Sequence, residues 1–352
     1  MSKPPYKLIW SQLNAGKLIP FLGAGASLCC RPVTENGEDI RWTAGEDFLP
    51  SGSELADWLA KRCSFPELSD ADLAKIASYF EIRARRRLLV EELRGIFGGD
   101  YSHGSIHDFL AAAPVPLLIV TTNYDDLIER AFRARKRPYH LVTCSDREEY
   151  AGSVLWWEPE AAAPKIRSPK ELELSLGDTS IVYKMHGTVS AKHDSFVITE
   201  EDYVGFLARM TYSNAIPARF MLQFREASFL FLGYGLRDWN LRVMLESLRR
   251  GLRRMKVRPQ TDEVPFPEAE APLHEPAVDD EEYPSWAIQQ HASELERELW
   301  WRRNVQIFDL GIDEFVTGMR NAREDRHDDT ISSRRTISQA VPARAVVPVP
   351  GA

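Results

Sequence analysis

Four short apolar runs in this chain each stop abruptly at glycines or small polar residues. They are "KLIPFLGAGAS" (17–27), "VPLLIVTTN" (115–123), "TSIVYKMHG" (179–187) and the start of "ASFLFLGYGLRDWNLRVMLESLRRGL" (227–252). Each is too short for an independent helix. The second is also rich in branched residues and apolar at successive positions, as a strand covered on both faces must be. Helix-like patterns follow, as in "YDDLIERAFRAR" (124–135) and the part of the fourth segment beyond its glycine turn. "SFVITEEDYVGFL" (195–207) and "ELERELWWRRNVQIFDLG" (294–311) add further strand and helix signals. Strands alternating with helices predict an α/β fold, a Rossmann-like central parallel sheet with helices on both faces.

The spacing between the first two runs adds a helical insertion over 28–112. Within it "SELADWLAKRC" (53–63) opens on Ser53, which reads as a cap, and "ADLAKIASYFEIRARRRLLVEELRGIF" (71–97) continues the helical period. Residues 1–323 read as one domain. Inside it, 259–285 is rich in Pro, Glu and Asp and reads as an exposed, mobile acidic loop; 324–352 reads as a disordered or partner-bound tail.

Composition narrows the class. The chain has 352 residues, 44% of them hydrophobic, and nine Trp, enough for a large buried core. Its net charge of −8 argues against direct nucleic-acid binding, with "LRRGLRRMKVR" (248–258) read as the wet face of a helix end. Cys29, Cys30, Cys63 and Cys144 make no CxxC pair, so neither a zinc site nor a disulfide framework is indicated, and a reducing cytoplasm fits. Nothing approaches the roughly 20 apolar residues needed to cross a bilayer.

In an open parallel sheet, ligands bind beyond the carboxyl ends of the strands, where these polar turns lie. Gly23 and Gly25 allow a tight turn whose amides could face a pyrophosphate, or an ordinary strand-to-helix turn. In "TTNYDD" (121–126) Asn123 is either a helix cap or a substrate contact. His186 ends a strand beside Gly187, either structurally or as a catalytic base. Gly233 and Gly235 again permit close backbone approach, and Asp238 opens a helix. Asp125 and Asp126 point apart on one helical turn, so at most one faces the site. His103 and His107 have metal-ligand spacing but lack the glutamate of a metalloprotease helix, and read as packing and capping groups.

The ordered set "GAGAS" (23–27), "TTNYD" (121–125), "KMHG" (184–187) and "FLGYGLRD" (231–238) resembles the sirtuin superfamily of NAD-dependent enzymes. It is nearer to the bacterial sirtuin-like branch of antiphage defence proteins than to protein deacylases, and the likeness runs from about 17 to about 320. Thr122 replaces the family's Gln, and no cysteine follows Cys144, so the two cysteine pairs of the deacylase zinc module have no counterpart.

The resemblance implies cleavage of NAD, as substrate, between nicotinamide and ribose, with no metal. Asn123 and His186 would be catalytic. Gly23, Ala24, Gly25 and Ser27 would hold the diphosphate, Asp125 would orient the ribose or nicotinamide amide, Gly233, Tyr234, Gly235 and Asp238 would take the adenosine side, and Thr122 would also bind NAD. The function implied is an NAD glycohydrolase acting as the toxic effector of an antiphage system. The alternatives are a deacylase or ADP-ribosyl transferase, and a non-catalytic NAD or ADP-ribose sensor. The chain carries no Walker lysine motif. The partners implied are further copies of itself and a HerA-type hexameric ATPase.

Overall fold

A computed structural model describes residues 3–28, 31–35, 39–66, 72–144, 150, 152–174, 177–190, 193–212, 216–235 and 284–323. The helix expected after Gly235, nearly all of the acidic stretch and the tail lie outside them. In chain order the strands are β1 (Leu18–Leu22), β2 (Leu118–Thr121), β3 (Tyr139–Cys144), β4 (Val154–Trp157), β5 (Lys165–Arg167), β6 (Ser180–Lys184), β7 (Gly187–Thr188), β8 (Ser195–Phe196), β9 (Ser228–Leu232), β10 (Ser285–Ile288) and β11 (Val305–Phe308). The four apolar runs of the sequence are β1, β2, β6 and β9.

Among the described residues nine strands form one sheet in the order β11-β10-β9-β1-β2-β6-β3-β4-β5. From β11 through β3 every neighbour is parallel. The β4–β5 hairpin adds an antiparallel edge, and β7 pairs with β8 separately. From β1 the chain first builds toward β2, β6 and β3, then returns to build β9, β10 and β11 on the other side. The winding therefore reverses between β1 and β9, where a doubly wound sheet opens its ligand crevice.

Successive residues of the central strands face opposite ways, and both faces are covered. On one face Ile19, Phe21, Val120 and Tyr183 pack with Phe206, Phe220 and Trp300. These last come from α6 (Glu200–Tyr212), α7 (Ala218–Glu226) and α8 (Glu294–Trp301). On the other face Leu22, Ile119 and Val182 pack with residues of α1 (Tyr6–Asn14), α4 (Ser105–Ala111), α5 (Leu127–Ala134) and α9, over 312–323. Each large apolar side chain removed from water contributes about 1.5–3 kcal/mol. This two-sided burial is why the strands read as continuous apolar runs.

The helical stretch expected from 53 to 97 is two helices, α2 (Gly52–Cys63) and α3 (Leu73–Phe97). Ser64 takes a left-handed conformation after α2, and α3 breaks its helical angles at Arg85 (φ 70°). The cap of α2 is Ser51, not Ser53. Its hydroxyl accepts from the Glu54 amide, while the Glu54 carboxylate accepts from the Ser51 amide at 2.8 Å. This S-x-x-E box satisfies two orphan donors at once, which Ser53 cannot do. α2 and α3 form a third core with Tyr124, Leu127, Phe196 and Ile198, and so lie over the carboxyl end of the sheet.

Candidate active site

Three strand-end turns interlock beside the β1–β9 switch. The Gly23 amide donates to Leu232 O (3.0 Å) and the Gly25 amide to Gly233 O (2.8 Å). Gly233 sits at φ +66°, and a β-carbon there would lie 2.1 Å from the Ala26 nitrogen. Glycine is thus required for the two backbones to meet. Gly23 and Gly25 do not line the cavity and their amides are spent on this junction; Ala24 and Ser27 do reach it. Residues 24–28 form one short 3-10 turn.

The β2 turn closes onto both neighbours. The Thr122 hydroxyl bonds Tyr234 Oη. Asn123 Nδ2 donates to Gly23 O (2.9 Å) and to Ser27 Oγ (3.0 Å), and Ser27 Oγ donates to Asp125 Oδ2 (2.8 Å). Because a carbonyl oxygen only accepts, Gly23 O fixes which end of the amide is nitrogen. Both Asn123 donors are therefore occupied, and its Oδ1 is the group left for the cavity that the residue lines. Asn123 is not the helix cap. The cap position of α5 is Asp126, whose side chain makes no capping bond; the preceding Asp125 accepts from the Leu127 amide through Oδ1 at 3.2 Å. Asp126 instead pairs with Arg130 and Arg133, so of the two carboxylates only Asp125 is at the cavity.

His186 enters from the end of β6. The next residue, Gly187, has φ +92°, and a β-carbon there would strike Ser195 O at 2.1 Å, so the chain can enter β7 only with glycine. The imidazole is 7% exposed and lies edge-on to the rings of Tyr203 (5.4 Å) and Phe206 (5.0 Å). Burial pushes its pKa down to about 3, so it is a neutral imidazole near pH 7.

The cavity these residues share encloses about 210 Å³. Its roof comes from the insertion: Leu49, Pro50, Leu55, Leu73 and Phe97. Pattern reading missed this roof, because apolar residues on α2 and α3 look the same whether they face a core or a cleft. Tyr124 and Tyr203 were also missed. Of the anticipated residues, Ala24, Ser27, Thr122, Asn123, Asp125, His186, Gly233, Tyr234 and Gly235 line one cavity, while Asp238 lies outside the described residues. His103 and His107 are not there. The His107 Nδ1 accepts from the Gly104 amide at 3.1 Å at the start of α4, and His103 approaches Asp108.

Fold and cleft together define a doubly wound α/β domain with a crevice at its switch point. A family model described as the SIR2-like domain matches residues 117–300. That is more than half of the 352 residues, and the chain belongs to this family. The match is narrower than the likeness read from the motifs, and the Gly23–Ser27 turn lies before it.

Among curated proteins, the chain is similar to the NAD(+) hydrolase ThsA of Acinetobacter baumannii (strain 532279). The two are 29% identical over 183 residues, 51% of this chain and 32% of that protein. The NAD(+) hydrolase ThsA of Enterococcus faecium is 30% identical over 212 residues, 58% of this chain and 37% of that protein. A third, from Cytobacillus dafuensis, is 25% identical over 181 residues. The chain spans about a third of the length of these relatives. Among the described residues no helix is long and apolar enough to cross a membrane.

Proposed function

We propose that the chain hydrolyses NAD to nicotinamide and ADP-ribose. The observation that carries the reading is the orientation of Asn123. Its nitrogen is committed to the β1 turn and its oxygen is left to a cavity that also holds a neutral histidine. In the reaction the ribose C1′–nitrogen bond breaks, both its electrons leave with neutral nicotinamide, and a water oxygen bonds C1′. Positive charge grows on the ribose as this happens. An amide oxygen that accepts a hydrogen bond from the attacking water or a ribose hydroxyl places that group and favours the developing charge. His186, a neutral imidazole that burial makes a weak base, accepts a hydrogen bond from that water or hydroxyl and orients it, and the proton released on hydrolysis leaves to solvent. Ala24 and Ser27 would lie toward the diphosphate, Thr122 and Asp125 toward the ribose and nicotinamide amide, and Gly233, Tyr234 and Gly235 toward the adenosine side.

The names of the relatives support the same substrate. The apolar roof supports a small ligand over an extended acyl-lysine peptide, because α2 and α3 occupy the space above the strand ends. We extend the proposal to a role as NAD-depleting effector in antiphage defence, restrained by assembly with itself or with a HerA-type ATPase. Co-purification with that ATPase is the test of the partnership.

The activity is tested by incubating purified chain with NAD and separating products by chromatography, with and without an acyl-lysine peptide. Peptide-independent release of nicotinamide is expected. Release that requires the peptide indicates a deacylase, and NAD bound but never cleaved indicates a sensor; either outcome sinks the hydrolase reading.

A further inference from the structure

The search for groups that the proposed chemistry leaves unused leads to a lysine inside the domain. Lys184, the last residue of β6, is fully buried beside an almost fully buried Glu129. Its ammonium donates to three acceptors: Glu129 Oε1 at 2.8 Å, Tyr124 O at 3.3 Å and Asp125 O. An ammonium has three protons, so its donor capacity is filled. Glu129 is less complete, since its Oε2 has no hydrogen-bond partner among the described residues. Burial raises the Glu129 carboxyl, with the Lys184 charge working against it.

Two of the three acceptors are consecutive backbone carbonyls in the irregular turn between β2 and α5, where no helix or sheet ladder would take them. That turn carries Asn123 and Asp125. The lysine itself stands two residues before His186 on the neighbouring strand. One side chain thus links the segment bearing Asn123 to the segment bearing His186. Backbone bonds run beside it, from the Met185 amide to Thr121 O (2.9 Å) and from the Val189 amide to Tyr124 O (3.0 Å). The Tyr124 carbonyl is thus shared between the Val189 amide and the ammonium, while the Asp125 carbonyl beside it is taken by the ammonium.

We infer that Lys184 is a positioning residue: by clamping the Tyr124 and Asp125 carbonyls it sets the Asn123–Asp125 turn relative to His186. An ion pair serving stability alone would need only Glu129. The link to turnover rests on the hydrolase reading; the link to turn geometry does not.

The test compares Lys184→Met/Glu129→Leu, in which an apolar pair replaces the buried charges and should keep the fold, with Glu129→Gln, which keeps the ammonium and its carbonyl bonds. Amide hydrogen exchange over 122–127, melting temperature, and kcat and KM for nicotinamide release are measured on the full chain. In the double variant, exchange of the turn is expected to accelerate at least tenfold and kcat to fall at least thirtyfold. Its KM should stay within threefold of the parent, and its melting within a few degrees. Glu129→Gln should keep kcat within threefold. Unchanged exchange and kcat in a folded double variant would overturn the inference. If that protein does not fold, a thirtyfold loss of kcat in folded Glu129→Gln does the same, because it makes the ion pair rather than the carbonyl clamp the essential part. A parent chain that releases no nicotinamide refutes only the hydrolase reading, and exchange then decides the clamp.

Discussion

Asn123 and Ser27 lie 96 residues apart in sequence and are joined by a 3.0 Å hydrogen bond from the asparagine nitrogen to the serine hydroxyl, which in turn donates a hydrogen bond to Asp125. Three residues from two strand ends thus form one directed chain, with each donor and acceptor assigned. Replacing Asn123 by Ala removes two hydrogen bonds and leaves Gly23 O without this partner, at a cost of about 1–3 kcal/mol. The variant should fold, melt several degrees lower, and lose at least about 100-fold in nicotinamide release. Melting by circular dichroism and product chromatography check both halves. An Asn123→Ala protein that folds and turns over normally removes the residue from the chemistry.

The two glycines of "GYG" should respond differently. A β-carbon at Gly233 would lie 2.1 Å from a backbone nitrogen at a left-handed φ, whereas one at Gly235 would meet nothing within 4 Å. Gly233→Ala is expected to cost more than about 3 kcal/mol, enough to compromise folding. Gly235→Ala should stay within about 1 kcal/mol of the parent. Soluble yield and chemical denaturation midpoints separate the two, and equal effects would deny the interlocked junction.

That junction marks the limit of what sequence could reveal. The four central strands were legible because both their faces are buried, so burial is written as an unbroken apolar run. β3 was not, since Tyr139, His140 and Leu141 at its start are only half-buried. The β4–β5 hairpin carries three exposed residues, Lys165, Ile166 and Arg167, on its outer strand. β10 emerges from an acidic stretch and hides its period within four residues. The site was legible as four separate turns. Their mutual bonds were not, because no local pattern states that Asn123 will meet Gly23 or that Gly25 will meet Gly233. The glycine amides show the difference: sequence left Gly23 and Gly25 as either a pyrophosphate cradle or an ordinary strand-to-helix turn, and their partners, Leu232 O and Gly233 O, are visible only in the folded chain.

Acid should destabilise the fold through two buried histidines. Burial holds His186 at about 3. It also holds His107 at about 4, with His103 adding to the depression while Asp125 and Asp108 oppose it. Both values lie below the 6.5 of an unfolded histidine. As pH falls through about 6.5 the unfolded chain gains protons that the folded chain refuses. The histidines' contribution to stability is therefore full above that pH and is lost progressively toward pH 3–4. Urea midpoints at pH 7.5, 5.5 and 4.5 should decline in that order. In His107→Asn, which keeps a short side-chain acceptor near the Gly104 amide, the decline should be shallower. For kcat/KM, His186 should add no acid limb between pH 5 and 8; an inflection near 6.5 that disappears in a His186 variant would contradict a buried, neutral base.

The roof of the cavity hangs on Glu54. Its carboxylate accepts both nitrogens of Arg31 (3.0 and 2.7 Å), the amides of Trp42 and Ser51, and the Ser51 hydroxyl. Arg31 also donates to Leu49 O, at the roof itself. Burial alone would raise the Glu54 carboxyl, but Arg31 and these donors overcome it and hold the group at about 2. Its contribution is thus present above the ordinary value of 4.5 and is lost as pH falls toward 2. Glu54→Gln removes one partner of a nearly buried pair and should cost about 3 kcal/mol at neutral pH. The loss should shrink as pH falls below 4.5. Because Leu49 and Pro50 line the same cavity as Asn123 and His186 but carry no polar side chain, loosening them should raise KM for NAD more than it lowers kcat. Steady-state kinetics on the folded variant, beside melting at pH 7 and pH 4, read both effects. A kcat loss with unchanged KM would mean that the roof shapes the reacting geometry rather than retaining the ligand.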